Sequence, residues 1–414
     1  MPSRRSAPAP QQASLLCKAC KAYETTALVL QGGGALGAYQ AGVYEGLHEA
    51  GIELTYLAGI SIGALNLAIL AGNPPERRIE RLREFWGTIC QPYGGLPTNP
   101  LLEASLFQIN DMARQVMGNL HAGSALLVGQ KGFFRPRFPP AVLTPLTDPG
   151  NVGYYDTRPL RDTLERLCDF DRINDGGIHV SVGAVNVRTG NFAYFDNQRT
   201  RLRPEHFMAS GALPPAFPAI EIDGEYYWDG GLVSNTPLTE VLTERPERDT
   251  LVFQVDLWSA RGSAPRNIGD VGDRIQDIRY SSRTRAVTEQ MRAYRKMQRA
   301  LRDVLDKVPA KIRDQDAACR RAESLAGHKR YNIIHLIYRD KDYEQHHRDY
   351  QFGLATMREH WETGLQDIRN TLAHDEYLAM PDNTAGFVTH DVHRDEIEQA
   401  MRSSHTTSTN GDRP

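Results

Sequence analysis

The sequence predicts an α/β fold in which a three-layer domain, residues 25–258, is built on a buried parallel sheet and is followed by a mostly helical C-terminal extension, residues 259–380. Two observations lead to this prediction. Short apolar segments at 27–31 and 54–58 are typical of strands buried on both faces, and each runs through a glycine-rich turn into a helical pattern. Beyond residue 258 the sequence becomes basic and helical periodicity dominates.

Composition and charge exclude few functions. With 48 Lys and Arg against 51 Asp and Glu, the chain is nearly neutral, which indicates no strongly charged partner. The five cysteines are odd in number and scattered, which argues against a disulfide framework and for a reducing compartment. Cys17 and Cys20 could supply half of a zinc site, but no second close pair completes it, so we expect no metal.

The sequence also bears on location. No apolar run reaches the roughly 20 residues that a membrane span needs. Residues 1–24 lack the apolar core of a signal peptide, so we expect a cytoplasmic protein. Residues 1–24 and 381–414 are interpreted as disordered tails because of their composition.

The first predicted strand runs into Gly32-Gly33-Gly34-Ala35-Leu36-Gly37, followed by a helix over 38–50. Three consecutive glycines let the backbone turn several N–H groups toward one point, which makes a cradle for an anion. The spacing also fits a dinucleotide site, but that would need an acidic residue at the end of the second strand, and Glu53 precedes that strand. An oxyanion hole is therefore favoured, with a purely structural glycine turn as the third interpretation.

The second motif is Gly59-Ile60-Ser61-Ile62-Gly63, a turn between a short apolar strand and an apolar helix over 64–70. Its glycines permit the close backbone approach of a strand that reverses into a helix. A serine at the tip of this turn lies at a helix N-terminus, which favours negative charge. Ser61 is thus the candidate nucleophile, and a simple helix cap is the alternative.

The region up to the third motif is less regular. Apolar spacing predicts a helix over 76–90, whereas Pro and Gly clusters from 91 to 153 predict an irregular segment that could cover the substrate. A helix to about residue 168, a strand over 178–187, a helix over 204–213 and a strand or hairpin over 220–228 are predicted to follow.

The third motif, Asp229-Gly230-Gly231, follows this hairpin. A carboxylate at a strand end could reach Ser61 and accept its proton. Because an ordinary aspartate has a pKa of about 3.9, burial would have to raise this pKa for Asp229 to act as a base. A turn aspartate that binds its own backbone is the alternative.

In this order and spacing, the three motifs resemble the patatin-like phospholipase family, and residues 209–218 resemble the helix and loop before its catalytic aspartate. The resemblance covers residues 25–244. It implies that Ser61 and Asp229 form a Ser-Asp dyad that hydrolyses acyl esters of lipids without a metal or organic cofactor. It also implies an oxyanion hole within Gly32, Gly33, Gly34 and Ala35, with motif support from Gly37, Gly59, Gly63, Gly230 and Gly231.

This chain departs from the family at one position of the glycine motif. Many family members carry Lys or Arg where this chain has Leu36, which weakens the inference of a charged headgroup contact there but leaves the backbone N–H donors of the oxyanion hole unaffected.

Two alternatives to this dyad remain open. A triad of Ser61, Asp229 and His335 is possible in chain order. A non-catalytic lipid-binding or regulatory module would keep the same residues and show no turnover.

The C-terminal extension begins after a further predicted strand at 250–257 and resembles an uncharacterised extension of some bacterial family members. Residues 261–340 hold 19 Lys and Arg against 10 Asp and Glu. Apolar positions between Ile275 and Val304 predict one long amphipathic helix, and a strand over 331–338 and a helix over 343–374 follow. The helix could pack on the hydrolase domain, or it could dock on an anionic membrane; nucleic acid is disfavoured because no binding motif is present.

Overall fold

A central mixed sheet organises the computed structural model, which describes residues 5–92, 111–140, 143, 148–262, 264–281, 284–339, 348–382 and 386–391. Its strands in these residues are β1 (Thr25–Leu30), β2 (Tyr56–Gly59), β5 (His179–Asn186), β6 (Phe192–Asp196), β7 (Ile220–Ile222), β8 (Glu225–Asp229), β9 (Thr250–Asp256), β10 (Tyr331–Ile337) and β11 (Phe387–Asp391). The spatial order is β11-β10-β9-β1-β2-β5-β8-β7, with β6 also paired to β5. The path from β11 to β5 is parallel, and β6, β7 and β8 add antiparallel pairs.

Helices cover the sheet, and β3 (Arg135–Pro136) with β4 (Tyr155–Asp156) forms a separate small ribbon. β1, β2 and β9 are buried along their whole length, as their apolar sequences predict. The described helices are α1 (Pro10–Cys20), α2 (Ala38–Glu49), α3 (Ile62–Ala71), α4 (Pro75–Ile89), α5 (Asp111–Val128), α6 (Arg158–Leu167), α7 (Phe170–Asp175), α8 (Pro204–Ser210), α9 (Leu238–Thr243), α10 (Ile268–Tyr280), α11 (Thr284–Leu305), α12 (Ala310–Gln315), α13 (Ala317–Leu325) and α14 (Leu354–Leu372).

Both predicted tails contain structure. Residues 10–20 form α1, which buries Leu16 and Cys20 in the core, so the mobile-tail interpretation is wrong for this segment. Residues 387–391 form β11 at the edge of the sheet, which corrects the second tail in the same way. The apolar periodicity of α1 and the alternation of β11 each extend over few residues. Neither pattern could be recognised within a segment of polar composition.

Two further expectations change. The predicted irregular segment contains the 18-residue helix α5, while residues 93–110 of the predicted covering segment lie outside the described structure.

The predicted single long amphipathic helix is two helices in the structure, α10 and α11. The apolar side chains Val287 and Met291 of α11 pack on a core cluster of the sheet. Arg295 on α11 is buried and lies 2.7 Å from Glu247, so this basic residue is paired within the protein. The anionic-membrane contact stays a prediction.

The extension belongs to the same sheet as the N-terminal region. β10 pairs with β9 along seven residues, and α14 packs against α2. Glycines permit this close helix contact: a Cβ at Gly42 would collide with the carbonyl oxygen of Trp361, and one at Gly364 with the carbonyl oxygen of Tyr39. No helix among the described residues is long and apolar enough to cross a membrane.

We expect Gly364→Ala to lower the free energy of unfolding by about 2 kcal/mol or more, because its methyl group would push α14 away from α2. The matched control is Gly87→Ala on α4, where a Cβ meets no atom within 4 Å. That variant should raise stability by about 0.5–1 kcal/mol, because glycine is a poor helix former. Chemical denaturation of both variants measures the difference, and equal effects would contradict the close packing.

Candidate active site

Ser61 lies at the tip of a strained turn between β2 and α3. Its backbone has φ 55° and ψ −125°, a conformation that L-residues seldom adopt and that costs about 1–3 kcal/mol. The turn is tight because glycines allow it: a Cβ at Gly63 would lie 2.5 Å from the Leu30 carbonyl oxygen, and one at Gly59 would lie 2.8 Å from the backbone of Gly63. The strain presents the Ser61 side chain at the start of a buried helix.

A second serine holds this turn in place. The Ser61 amide donates to Ser210 Oγ at 3.0 Å, and the Ser210 hydroxyl donates to the Gly183 carbonyl at 2.7 Å. Ser210 is buried at the end of α8 and links the turn to β5. Sequence reasoning noticed the segment around Ser210 but gave this residue no role, because a serine before a glycine has no pattern that identifies its partner.

Asp229 is buried at the end of β8, with 2% of its surface exposed. Burial raises its pKa to about 7, although the nearby Ser61 hydroxyl and a hydrogen bond from the Gly231 amide act to lower it. The Gly231 amide donates to Asp229 Oδ1 at 2.7 Å. The carboxylate therefore faces the same cavity as Ser61, is influenced by its hydroxyl and has a pKa close to neutrality.

Strand register brings Asp229 to Ser61. β2 pairs with β5 so that Gly59 faces Val182, and β8 pairs with β5 so that Asp229 faces Ala184. β2 and β8 therefore end beside positions of β5 that are only two residues apart. This pairing joins motifs that are 168 residues apart in the sequence, and no local pattern specifies it.

The glycine loop lies beside Ser61, since a Cβ at Gly32 would come within 2.9 Å of Ser61 Cβ. The Gly32 amide donates to the Asn235 carbonyl at 3.3 Å, so it is engaged in the fold. Among the described residues, the amides of Gly33 and Gly34 donate to no protein group. Gly34 has φ 55°, which favours glycine. Gly33 and Gly34 thus line the same cavity as Ser61.

Side chains that the sequence did not single out hold this loop. The Gly32 carbonyl accepts from Asn235 Nδ2 at 3.0 Å and from Trp258 Nε1 at 2.9 Å. Gln31 Oε1 accepts from the amides of Leu257 and Trp258, at 2.6 and 2.9 Å. These contacts tie the loop to the end of β9 and to the start of the extension. Such long-range amide contacts leave no sequence periodicity.

The extension completes the wall of the site. The short turn Arg348–Tyr350 packs on the glycine loop so closely that a Cβ at Gly34 would collide with the Asp349 carbonyl oxygen. Arg348 is buried, forms an ion pair with Asp277 of α10, and lies 4.8 Å from the centre of the Trp258 ring. The glycine loop is therefore held between the end of the N-terminal domain and the extension.

The cavity in front of Ser61 is mostly apolar. Aromatic side chains from both halves of the chain face it, and the rings of Phe133 and Phe352 are 5.9 Å apart. Its lining includes Gly33, Gly34, Ser61, Ile62, Leu65, Phe133, Phe134, Leu213, Phe217, Asp229, Trp258, Tyr280, Tyr350 and Phe352. Apolar walls around the Ser61 hydroxyl, the Asp229 carboxyl and the backbone of Gly33 and Gly34 suit an acyl group whose carbonyl reaches the polar end.

His335 has a different partner from the one that the triad alternative needs. Its Nε2 lies 2.7 Å from Asp256 Oδ2, and both residues are buried at the ends of β10 and β9. Burial alone would lower the pKa of His335, but Asp256 raises it overall. The structure thus pairs His335 with Asp256 instead of Asp229, and the triad alternative is not supported.

The mostly parallel sheet, with a serine turn, a glycine loop and a buried carboxylate at one edge, defines the class as an α/β lipid acyl hydrolase. Within that class, the chain belongs to the patatin-like phospholipase family: the family model described as "Patatin-like phospholipase" matches residues 28–242. A second model, described as "Patatin phospholipase", matches residues 278–384. The extension is thus a domain that accompanies the family, as its resemblance implied.

Comparison with individual proteins adds little detail. Among solved structures, the crystal structure of VipD from Legionella pneumophila is similar, with 16% identity and a TM-score of 0.35, over 93% of this chain and 74% of that chain. No protein in the curated comparison matches this chain.

We expect Asp229→Asn to stabilise the protein more at about pH 8 than at about pH 5. The pKa of Asp229 is about 7 in the folded state and 3.8 when unperturbed, so the folded carboxyl keeps its proton where the unfolded one has lost it. Stability therefore falls as the pH rises from about 4 to 7, and the amide removes this loss. At about 1.4 kcal/mol per pKa unit, the difference between the two pH values is about 2–3 kcal/mol.

Chemical denaturation at the two pH values measures this difference. Asp162→Asn on the exposed face of α6 is the control for the same substitution away from the site. A pH-independent effect of Asp229→Asn would mean that Asp229 is not a buried carboxyl with a raised pKa.

Proposed function

We propose that the protein is a serine carboxylic ester hydrolase of lipids, a phospholipase or esterase, that uses Ser61 and Asp229 as a catalytic dyad. The observation that carries this proposal is the position of Ser61 in one cavity with a buried carboxylate whose pKa is about 7. An ordinary aspartate is too weak a base for a serine, whereas a pKa near the working pH suits a general base. A module that only binds lipid would gain nothing from this buried carboxylate.

In the acylation step, Asp229 takes the Ser61 proton while Oγ forms a bond to the ester carbonyl carbon. The carbonyl oxygen becomes an oxyanion and accepts hydrogen bonds from the Gly33 and Gly34 amides, with the Ala35 amide as a further donor. The tetrahedral intermediate then expels the alcohol, which takes the proton from Asp229. Water enters, gives its proton to Asp229 and attacks the acyl-serine carbonyl carbon. The second tetrahedral intermediate breaks its bond to Ser61 Oγ, which takes the proton back from Asp229, and the fatty acid leaves.

The neighbouring residues give this chemistry its geometry. Ser210 fixes the Ser61 backbone, and Asn235 and Trp258 fix Gly32, so the donors and the nucleophile hold one relative position. Preorganised donors need no rearrangement as charge develops, and the loss of one such donor typically costs about 3 kcal/mol of transition-state stabilisation. Gly32 thus serves the site through its carbonyl contacts, while Gly33 and Gly34 supply the donors.

The substrate and the cellular location follow from different properties of the chain. The aromatic and aliphatic lining of the cavity suits a fatty acyl chain, and no residue of the mechanism needs a metal. The cysteines form no disulfide within the described residues, which is consistent with the reducing cytoplasm. We place the reaction there, on lipid presented to the protein from a surface.

Ser61→Ala should lower the hydrolysis of short p-nitrophenyl esters by about a thousandfold or more, because the variant has no nucleophile. Labelling by a fluorophosphonate probe should also be lost, since only an activated serine reacts. The matched control is Ser324→Ala on the exposed surface of α13, which should keep full activity and labelling. Normal turnover by correctly folded Ser61→Ala protein would refute the proposal.

The pH dependence of kcat/KM tests the base separately. Since the pKa of Asp229 is about 7 and only the ionised form accepts a proton, kcat/KM should fall about tenfold per pH unit below that value and level off above it. The measurement uses a soluble ester at pH values where circular dichroism shows an intact fold. Constant activity down to about pH 5 would exclude Asp229 as the base.

A further inference from the structure

The exposed apolar side chains of this protein are concentrated on two helices. On α10, Ile268, Val271, Ile275 and Ile278 are 89%, 37%, 58% and 60% exposed. Their spacing of three, four and three residues places them on one face of the helix. A soluble helix normally turns such a face to the core, so this one lacks a partner among the described residues.

The helix α5 carries a second face of the same kind. Met112, Val116, Leu120 and Leu127 are 75%, 53%, 61% and 79% exposed, and their spacing again places them on one side. Downstream of α5, the aromatic ring of Phe138 is 94% exposed. We name the four residues of α10 and the four of α5 the apolar stripes.

Both helices border the cavity in front of Ser61. α10 ends at Tyr280, which lines the cavity, and Asp277 of α10 binds Arg348. α5 contacts the same turn, Arg348–Tyr350, and leads into Phe133 and Phe134 of the cavity wall. The Tyr155 hydroxyl also donates to the Leu126 carbonyl of α5 at 2.7 Å. The stripes are therefore attached to the frame of the site.

We propose that the apolar stripes of α5 and α10 dock the protein on an electroneutral lipid surface, which delivers acyl chains to Ser61. This inference rests on the proposed function for its substrate class. Apolar side chains on a helix can insert at the boundary between headgroups and acyl chains without crossing the bilayer. A chain that passes from this boundary into the cavity avoids exposure to water.

Charge identifies the kind of surface. α10 carries Asp270, Asp273 and Asp277 against Arg274 and Arg279, so it offers no excess of positive charge to anionic headgroups. The basic helix α11 packs Val287 and Met291 on the core instead. An uncharged phosphatidylcholine surface therefore fits the stripes better than an anionic one. A second copy of the chain on the same helices would cover the elements that frame the cavity.

Vesicle binding tests the proposal without catalysis. The full chain with Ser61→Ala is mixed with phosphatidylcholine vesicles, and the bound fraction is measured by flotation at about 0.1 M and 1 M salt. We expect binding at both, and at least a tenfold weaker partition when Ile268→Asp and Ile275→Asp are added. Leu120→Asp with Leu127→Asp should have the same effect. The control Ile312→Asp, on α12 and 54% exposed, should bind normally.

Activity provides a second readout in chains that keep Ser61. The ratio of vesicle hydrolysis to soluble-ester hydrolysis should fall about tenfold in the stripe variants and stay constant in Ile312→Asp. If the unmodified chain hydrolyses no soluble ester, the proposed function fails, while flotation still decides the docking. Circular dichroism confirms that each variant is folded.

Three results would overturn the docking proposal. The first is equal vesicle binding by the stripe variants and the parent chain. The second is binding that disappears at high salt, which would indicate a basic surface. The third is a parent chain that forms dimers and binds no vesicles, with stripe variants that are monomers, because the stripes would then contact a second copy.

Discussion

The burial of the Asp229 carboxyl in the cavity that Ser61 faces is the constraint on which the site depends. A carboxylate with 2% exposure is costly to ionise, and Asp229 is nevertheless buried at the end of β8. The same desolvation that destabilises the anion brings its pKa to about 7. Stability and reactivity are thus coupled through a single group. The strained turn at Ser61 lowers the stability of the folded protein further.

The extension is part of the structure around this site and not an appended module. β10 joins the sheet beside β9, α14 packs on α2, and Asp349 contacts the glycine loop. The loop is consequently fixed from two sides, by Asn235 and Trp258 on one and by the turn after β10 on the other. The sequence changes composition at residue 258, but the segments before and after this residue share one sheet and pack on each other.

Much of the core could be predicted from the sequence, because its signals are local. Continuous apolar strands, glycine runs and the serine turn each depend on a few adjacent residues, and β1, β2 and β9 are buried as predicted. The placement of Asp229 depends on pairing with β5, and the roles of Ser210, Asn235 and Gln31 depend on contacts between distant segments. The helix α1 and the strand β11 were hidden by polar composition. Motifs of this kind indicate chemistry, whereas the groups that position them are visible only in three dimensions.

The attachment of the last helix to the first has a consequence for synthesis. A ribosome releases the N-terminal strands first, yet the cavity wall includes Tyr350 and Phe352, and α2 finds its partner only when α14 has emerged. A nascent chain that already carries the serine turn and Asp229 therefore lacks part of the frame around them. Lipid hydrolysis would therefore begin only after the chain has been synthesised through α14, so shorter translation products would lack activity.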